Sequence, residues 1–267
     1  MVEEVGPAVT HLAVGDRVGI GWQRSACMAC ADCARGDENL CDENLGVITD
    51  GDGGFADRIT MDGRFCFKLP DGLDTDAAGP LLCGGITVYS ALRHAGMRSG
   101  QTVGVIGVGG LGHLAVQFAS KMGNRVVVFT TSADKAHLAA KLGAHDAVLV
   151  ADGAKPEYAR PIDVLINTVP MNFDWHAYLG MLGSDGTLTF VGVPNEPMEL
   201  PIYLLLGKRR RVTASPIGGR GIMMEMLRVA DEHGIAPIVE KFPLARANDA
   251  IAKVRDNTIR YRAVLIP

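Results

Sequence analysis

Apolar and polar positions follow two rhythms along this chain. Up to about residue 75, short pieces of alternating character are separated by turn-forming residues: Asp16 to Trp22, Gly53 to Thr60 and Phe65 to Pro70. Such alternation predicts short β-strands half covered by a core. From about residue 82 to 220 the apolar runs become continuous, at Val103 to Val108, Val126 to Phe129, Ala147 to Val150, Ile162 to Val169 and Thr187 to Val193. Between them lie stretches with helical spacing, such as His113 to Met122, where Leu114, Ala115, Phe118, Ala119 and Met122 recur on one side. Continuous apolar strands alternating with helices predict a parallel sheet covered on both faces. Beyond it, Ile222 to Glu232 and Ala247 to Val254 read as helices, and Tyr261 to Ile266 as a closing strand that returns to the first domain.

Composition adds limits. The chain has 267 residues, 48% hydrophobic and 21% charged, with a net charge of −4. That is an ordinary globular balance, large enough for two domains, with no general attraction to nucleic acid or to an anionic membrane. The basic run Lys208 to Arg211 reads as a solvated approach to the strand Val212 to Ala214.

Four of the six cysteines, Cys27, Cys30, Cys33 and Cys41, fall within fifteen residues. Four thiolates complete a tetrahedral zinc shell and leave no open position, so the metal is expected to be structural. The intervening segment is polar, and in such a lobe metal-binding energy is largely folding energy. Disulfides fit poorly, because no apolar leader follows Met1 and because Cys66 and Cys83 sit among apolar neighbours in the sequence. An iron–sulfur run would have a shorter third gap and a proline where Asp42 stands. A nucleic-acid module is disfavoured by Asp32, Asp37, Glu38, Asp42 and Glu43 around the sulfurs. Reduced cysteines with no leader or membrane span point to a cytoplasmic protein.

The second motif is Gly107, Gly109, Gly110, Leu111 and Gly112, placed between the strand Val103 to Ile106 and the helix from His113. In that context the glycines predict a dinucleotide site: Gly107 for the tight turn, Gly109 for close approach of pyrophosphate, and Gly112 for helix–strand contact. Where an NAD-binding strand usually ends in an acid, this chain has Thr130, Thr131 and Ser132, with Lys135 three residues on. Hydroxyls and a cation suit a 2′-phosphate, which favours NADP. Ser132 also reads as a helix cap, and Asp134 argues for NAD.

The cysteine lobe, Gly53 to Ala56, the segment Pro80 to Tyr89, the glycine turn, and Thr130 to Ser132 with Lys135 together resemble the zinc-containing medium-chain alcohol dehydrogenases, in their cinnamyl-alcohol-dehydrogenase-like branch. The resemblance runs from about Val5 to the C-terminus. It implies an α/β protein: a doubly wound Rossmann domain over residues 82–220, and a mainly β GroES-like domain over residues 1–81 and 221–267. The zinc lobe at 27–41 is an insertion in the latter. It implies NADP-dependent hydride transfer between nicotinamide and a primary alcohol or aldehyde, and pairing of two copies along the Rossmann sheet edge. By the same resemblance Cys83 matches a catalytic-zinc ligand and Thr87 lies near the nicotinamide. Val191, Gly192 and Val193 face the carboxamide, and Ser215 and Ile217 belong to a cofactor-side loop. The family's further zinc ligands, a cysteine and a Gly-His-Glu histidine, have no counterpart in this sequence, which enters at what resembles the strand just after them. The GroES-like domain is therefore expected to be N-terminally incomplete, and the chain's own activity impaired. His11 and His94 are the nearest replacement ligands. Two alternatives are a zinc-independent quinone reductase and a non-catalytic NADP-binding protein.

Overall fold

The computed structural model describes residues 1–151, 154–194 and 196–267. Contacts divide the chain into two compact units, Met1–Ile86 with Ile217–Pro267, and Thr87–Pro216. The leading stretch carries strands β1 (Val18–Ile20) and β2 (Gln23–Ser25), the short helix α1 (Ala31–Arg35), strands β3 (Leu45–Gly46) and β4 (Cys66–Lys68), and helix α2 (Thr75–Pro80). β1 is antiparallel to β4, with Gly19 opposite Phe67. β2 is antiparallel to β3, across an irregular register. The cysteine lobe is the excursion between β2 and β3.

The expected strand at Gly53 to Thr60 does not form. Strand backbone needs a neighbouring ladder to take its N–H and C=O groups, and among the described residues no ladder runs along this piece, where the Gly53 N–H alone reaches back to the Val47 carbonyl at 3.0 Å. Phe55 and Ile59 are left exposed.

Residues Leu81–Gly85 form a π-helical turn directly after α2. Pro80, the last residue of α2, has no N–H to give to the preceding turn, and the wider winding follows at once. Leu81, Leu82, Gly84 and Gly85 are buried, whereas Cys83 points outward and is exposed. The apolar sequence around Cys83 therefore does not enclose its sulfur, because in the helical winding its neighbours turn inward.

The second stretch runs α3 (Ile86–His94), β5 (Thr102–Ile106), α4 (Gly112–Lys121), β6 (Arg125–Thr130), α5 (Ala133–Lys141), β7 (Asp146–Leu149), β8 (Ile162–Asn167), α6 (Trp175–Met181), β9 (Leu182–Phe190), α7 (Ile202–Lys208) and β10 (Arg211–Ala214). The six strands form one parallel sheet in the order β10-β9-β8-β5-β6-β7. The chain moves outward from β5 through β6 and β7, then restarts at β8 on the other side of β5. The point between β5 and β8 is where a doubly wound sheet leaves a crevice at the carboxyl ends of its strands. β9 begins at Leu182, five residues before the apolar run at Thr187 that marks it in sequence.

On one face Ile106, Phe129, Leu165, Leu188 and Phe190 pack with Trp175, Tyr178 and Leu179 of α6. The aromatic rings meet edge-on, Trp175 to Phe190 at 4.9 Å and Phe129 to Tyr178 at 5.5 Å between centroids. Burial pushes the Tyr178 phenol up to about 12. Val103 and Val105 alternate to the other face, and there Tyr89 of α3 meets Phe118 of α4 at 5.2 Å.

One member of the basic run departs from the solvated expectation. Arg210 is buried, and its guanidinium donates to the carbonyls of Leu182 (2.7 Å), Gly180 (3.1 Å) and Leu204 (3.0 Å). Carbonyls at the end of α6 have no helical partner of their own, and a five-donor planar fork can take several of them at once. Lys208, Arg209 and Arg211 remain exposed.

The chain closes with α8 (Arg220–His233), β11 (Val239–Pro243), α9 (Ala247–Arg255) and β12 (Arg262–Ile266), and β12 runs parallel to β11. Among the described residues no helix is long and apolar enough to cross a membrane.

Candidate functional site

The sulfurs of Cys27, Cys30, Cys33 and Cys41 all lie within 4.8 Å of one another, those of Cys27 and Cys33 at 3.9 Å. Zn–S bonds of about 2.3 Å in a tetrahedron require sulfur–sulfur edges of about 3.8 Å. The donor set therefore fits a closed zinc shell. Local backbone makes it: Cys30 caps α1 and accepts from the Cys33 N–H, while the Ala29 and Cys30 N–H groups donate to Cys27 Sγ at 3.4 and 3.3 Å. Those two donors bring the Cys27 thiol down to about 7, and burial pushes Cys33 up to about 12. Cys33, Cys41, Ala26 and Phe65 share a small apolar core beneath the cluster.

The acids around the sulfurs are not a uniform negative collar. Glu38 is buried, and its carboxylate accepts from the Arg220 backbone N–H and from Arg220 Nε, each at 2.9 Å. Burial opposes its ionisation, but the two Arg220 donors outweigh that and hold the carboxyl below its usual range. Gln23 donates to the Glu38 carbonyl at 2.7 Å, and Asn39 donates to the Ile217 carbonyl at 3.0 Å. At Gly219 a Cβ would lie 1.9 Å from the Gly36 carbonyl oxygen. The lobe is thereby fastened to the first turn of α8 by a buried ion pair and a backbone contact with no room for a side chain.

Because the Glu38 carboxyl is depressed in the folded protein, its contribution is fully present above the unfolded carboxyl value of about 4.3. It is lost as pH falls through the lower, folded value. Glu38→Gln should cost about 3 kcal/mol at neutral pH by leaving Arg220 without its anion. Urea melts of the two proteins at neutral pH should show that gap, and it should narrow on acidification between about pH 5 and pH 3.

In the glycine turn, Gly107 has φ 84°, the left-handed region that glycine alone enters freely. A Cβ on Gly112 would lie 1.9 Å from the Gly107 carbonyl oxygen, so α4 can rest on the end of β5 only without a side chain there. At Gly109 a Cβ would meet nothing within 4 Å. Packing does not ask for glycine at that position, whereas a ligand lying against the backbone would. Leu111 precedes α4 with no side-chain cap, and among the described residues the N–H groups of Leu111 and Gly112 find no acceptor. The positive end of α4 is thus presented to an anion.

At the end of β6 Thr130 is buried and its hydroxyl accepts from the Ser132 N–H at 3.3 Å, while Thr131 is exposed. Ser132 caps α5 by accepting from the Lys135 N–H at 3.4 Å. The Lys135 ammonium joins no ion pair among the described residues. Val191 and Gly192 donate to the Asn167 carbonyl at 3.0 and 3.1 Å, and Val193 is exposed just beyond. Thr87 is half buried in α3, and Ser215 donates its N–H to the Phe190 carbonyl at 3.1 Å.

Cys83 does not stand in a comparable donor set. Among the described residues, the four-cysteine lobe is the single group of three or more ligating side chains. His11 is tied to the Gly63 carbonyl at 3.0 Å, and His94 ends α3 on the surface. Among the described residues, the side chains present do not fit a second, catalytic zinc. Sequence reasoning missed Arg220, since pairing between positions 38 and 220 leaves no local pattern. It also missed His113, buried in the first turn of α4.

Residues 110–232 match the family model for zinc-binding dehydrogenases, and residues 1–71 that for the alcohol dehydrogenase GroES-like domain. An aldehyde reductase of Synechocystis sp. is 41% identical over 268 residues, 99% of this chain and 79% of that protein. An NADP-dependent alcohol dehydrogenase of Mycolicibacterium smegmatis is 40% identical over 99% of this chain and 79% of its own length. Among solved structures, a cinnamyl alcohol dehydrogenase from Sorghum bicolor matches with a TM-score of 0.90 at 35% identity, covering 98% of this chain and 78% of that one. CAD from Helicobacter pylori, solved in complex with NADP(H), matches with a TM-score of 0.87 at 28% identity over 98% and 78% of the two chains.

Proposed function

Because the chain belongs to the zinc-containing medium-chain alcohol dehydrogenases, in the cinnamyl-alcohol-dehydrogenase-like branch, we propose that its chemistry is NADP-dependent interconversion of a primary alcohol and an aldehyde. In this reading the four lobe cysteines hold a structural zinc, and Cys83 stands outside any complete metal shell. The observation that carries the dinucleotide part is Gly109, open on its Cβ side where packing demands nothing, at the mouth of an uncapped helix.

When bound, the nicotinamide supplies or accepts the hydride. The protein's part is to bind and orient it. Gly109, Gly110, Leu111 and Gly112 take the pyrophosphate, on the tight turn made by Gly107, whose own N–H goes to the Phe129 carbonyl. Thr130, Thr131, Ser132 and Lys135 take the 2′-phosphate with hydroxyls and one cation, in place of the acid that would select NAD. Thr87 and the backbone of Val191, Gly192 and Val193 hold the nicotinamide end, and Ser215 and Ile217 serve the cofactor-side loop. The open outer edge of β10, with Arg211, Thr213 and Ala214 exposed, is where two copies would join their sheets.

We assign the chain, as it stands, an impaired carbonyl chemistry, since a catalytic zinc ordinarily takes three protein ligands and one open site. This also favours NADP binding without turnover as the second reading. A zinc-independent quinone reductase would not need the four-sulfur lobe. The purified chain should bind NADPH more tightly than NADH by about tenfold or more. It should carry zinc in the lobe alone and reduce an aromatic aldehyde at a rate that Cys83→Ala leaves unchanged. Full aldehyde reduction abolished by Cys83→Ala would sink the assignment of impairment, and tighter binding of NADH would sink the choice of cofactor.

A further inference from the structure

His113 is fully buried in the first turn of α4, and its Nδ1 lies 2.9 Å from the Gly109 carbonyl oxygen. Its backbone N–H reaches the same oxygen at 3.1 Å. A carbonyl has no proton to give, so Nδ1 is the donor and the oxygen accepts twice from one residue. Gln117, one helical turn on, donates to the His113 carbonyl at 3.2 Å.

The peptide that begins at this oxygen joins Gly109 to Gly110, and neither residue has a Cβ to resist rotation of the plane between them. In a trans peptide the C=O and the following N–H point to opposite sides. With the Gly109 carbonyl drawn back onto α4, the Gly110 N–H is directed to the other side. A flipped plane would instead turn carbonyl lone pairs towards an anion seated on the turn. Two adjacent glycines allow the close approach of a ligand, and by the same freedom they allow the wrong plane.

We propose that His113 is a positioning residue of the dinucleotide turn: its imidazole Nδ1–H locks the Gly109–Gly110 peptide in the orientation that keeps the carbonyl away from the pyrophosphate. The inference rests on the reading of this turn as a pyrophosphate site. It gives a fully buried polar side chain a task that packing does not require, since leucine would fill the same space without a polar group to satisfy.

The test compares His113→Leu, His113→Asn and His113→Gln in the full chain, with NADPH and 2′-AMP as ligands and thermal melting as a third readout. The amide nitrogen of asparagine stands where Nδ1 stands, one bond from Cγ, whereas that of glutamine lies a bond further out. His113→Leu and His113→Gln should lose about tenfold in NADPH affinity and keep wild-type affinity for 2′-AMP, which has no pyrophosphate. His113→Asn should recover most of the loss. A purely structural role would lower the melting temperature and weaken both ligands together, which would overturn the inference. Wild-type NADPH affinity in His113→Leu would also overturn it, while leaving the site itself standing. A wild type that gains nothing from the pyrophosphate, binding NADPH no better than 2′-AMP, would overturn the reading of the turn and this inference with it. If His113→Leu fails to fold, the contrast between asparagine and glutamine decides by the same affinities.

Discussion

Gly109→Ala should leave the melting temperature where it is and weaken NADPH binding by about 100-fold. The added methyl meets no protein atom within 4 Å, and φ at this position is not positive, so neither sterics nor backbone strain opposes the substitution. What the methyl does meet is the space a pyrophosphate needs to touch the backbone, and losing that approach removes contacts made by an anion at a helix N-terminus. The control is Gly112→Ala, one turn away in the same motif. There the Cβ would lie 1.9 Å from the Gly107 carbonyl oxygen, so α4 must lift from β5, and stability and binding should fall together. Differential scanning fluorimetry with and without NADPH separates the two. A Gly109→Ala protein that keeps its affinity would show that the open side of the turn receives no ligand.

Removing the lobe's metal should produce the second large effect. Cys41 is almost wholly buried and shares the small core with Phe65, so Cys41→Ser takes away a ligand while nearly conserving shape. We expect it to strip the zinc, to cost roughly 4 kcal/mol, and to lower Tm by about 10 °C. Zinc measured by atomic absorption on the dialysed variant, with thermal melts of variant and parent side by side, checks both. Acid should reproduce the loss in the parent protein, because thiolates protonate before they can be held and metal affinity falls with pH. A Cys41→Ser protein that retains its zinc and its melting temperature would exclude the four-sulfur shell.

Much of this was visible in the chain itself, for identifiable reasons. The parallel sheet announced itself through Val103 to Ile106 and Val126 to Phe129, since strands buried on both faces read as nearly continuous apolar runs. The metal lobe and the glycine turn were visible because each compresses its chemistry into a few consecutive positions. Features that depend on a distant partner were hidden. Gly53 to Thr60 alternates like a strand, yet strand formation is decided by what lies alongside, and no pattern within the segment reports that. Arg210 looks like its solvated neighbours Arg209 and Arg211 until the end of α6 is placed beside it. Glu38 looks like one more acid around the sulfurs, and only the fold reveals Arg220 across from it. Cys83 is surrounded by apolar residues in sequence, but the π-helical turn directs them inward and the sulfur outward.

The backbone contact between Gly36 and Gly219, with the Glu38–Arg220 pair beside it, also constrains how the protein can be rebuilt. A lobe taken from a relative and grafted between β2 and β3 would arrive with its own residue facing position 219. A Cβ on the counterpart of Gly36 would meet nothing within 4 Å, but its carbonyl oxygen must keep its place, because a Cβ at position 219 would lie 1.9 Å from it and push the graft off the helix. The two stretches are therefore one transplantable unit, and chimaeras should exchange residues 27–41 and 217–220 together or leave both in place.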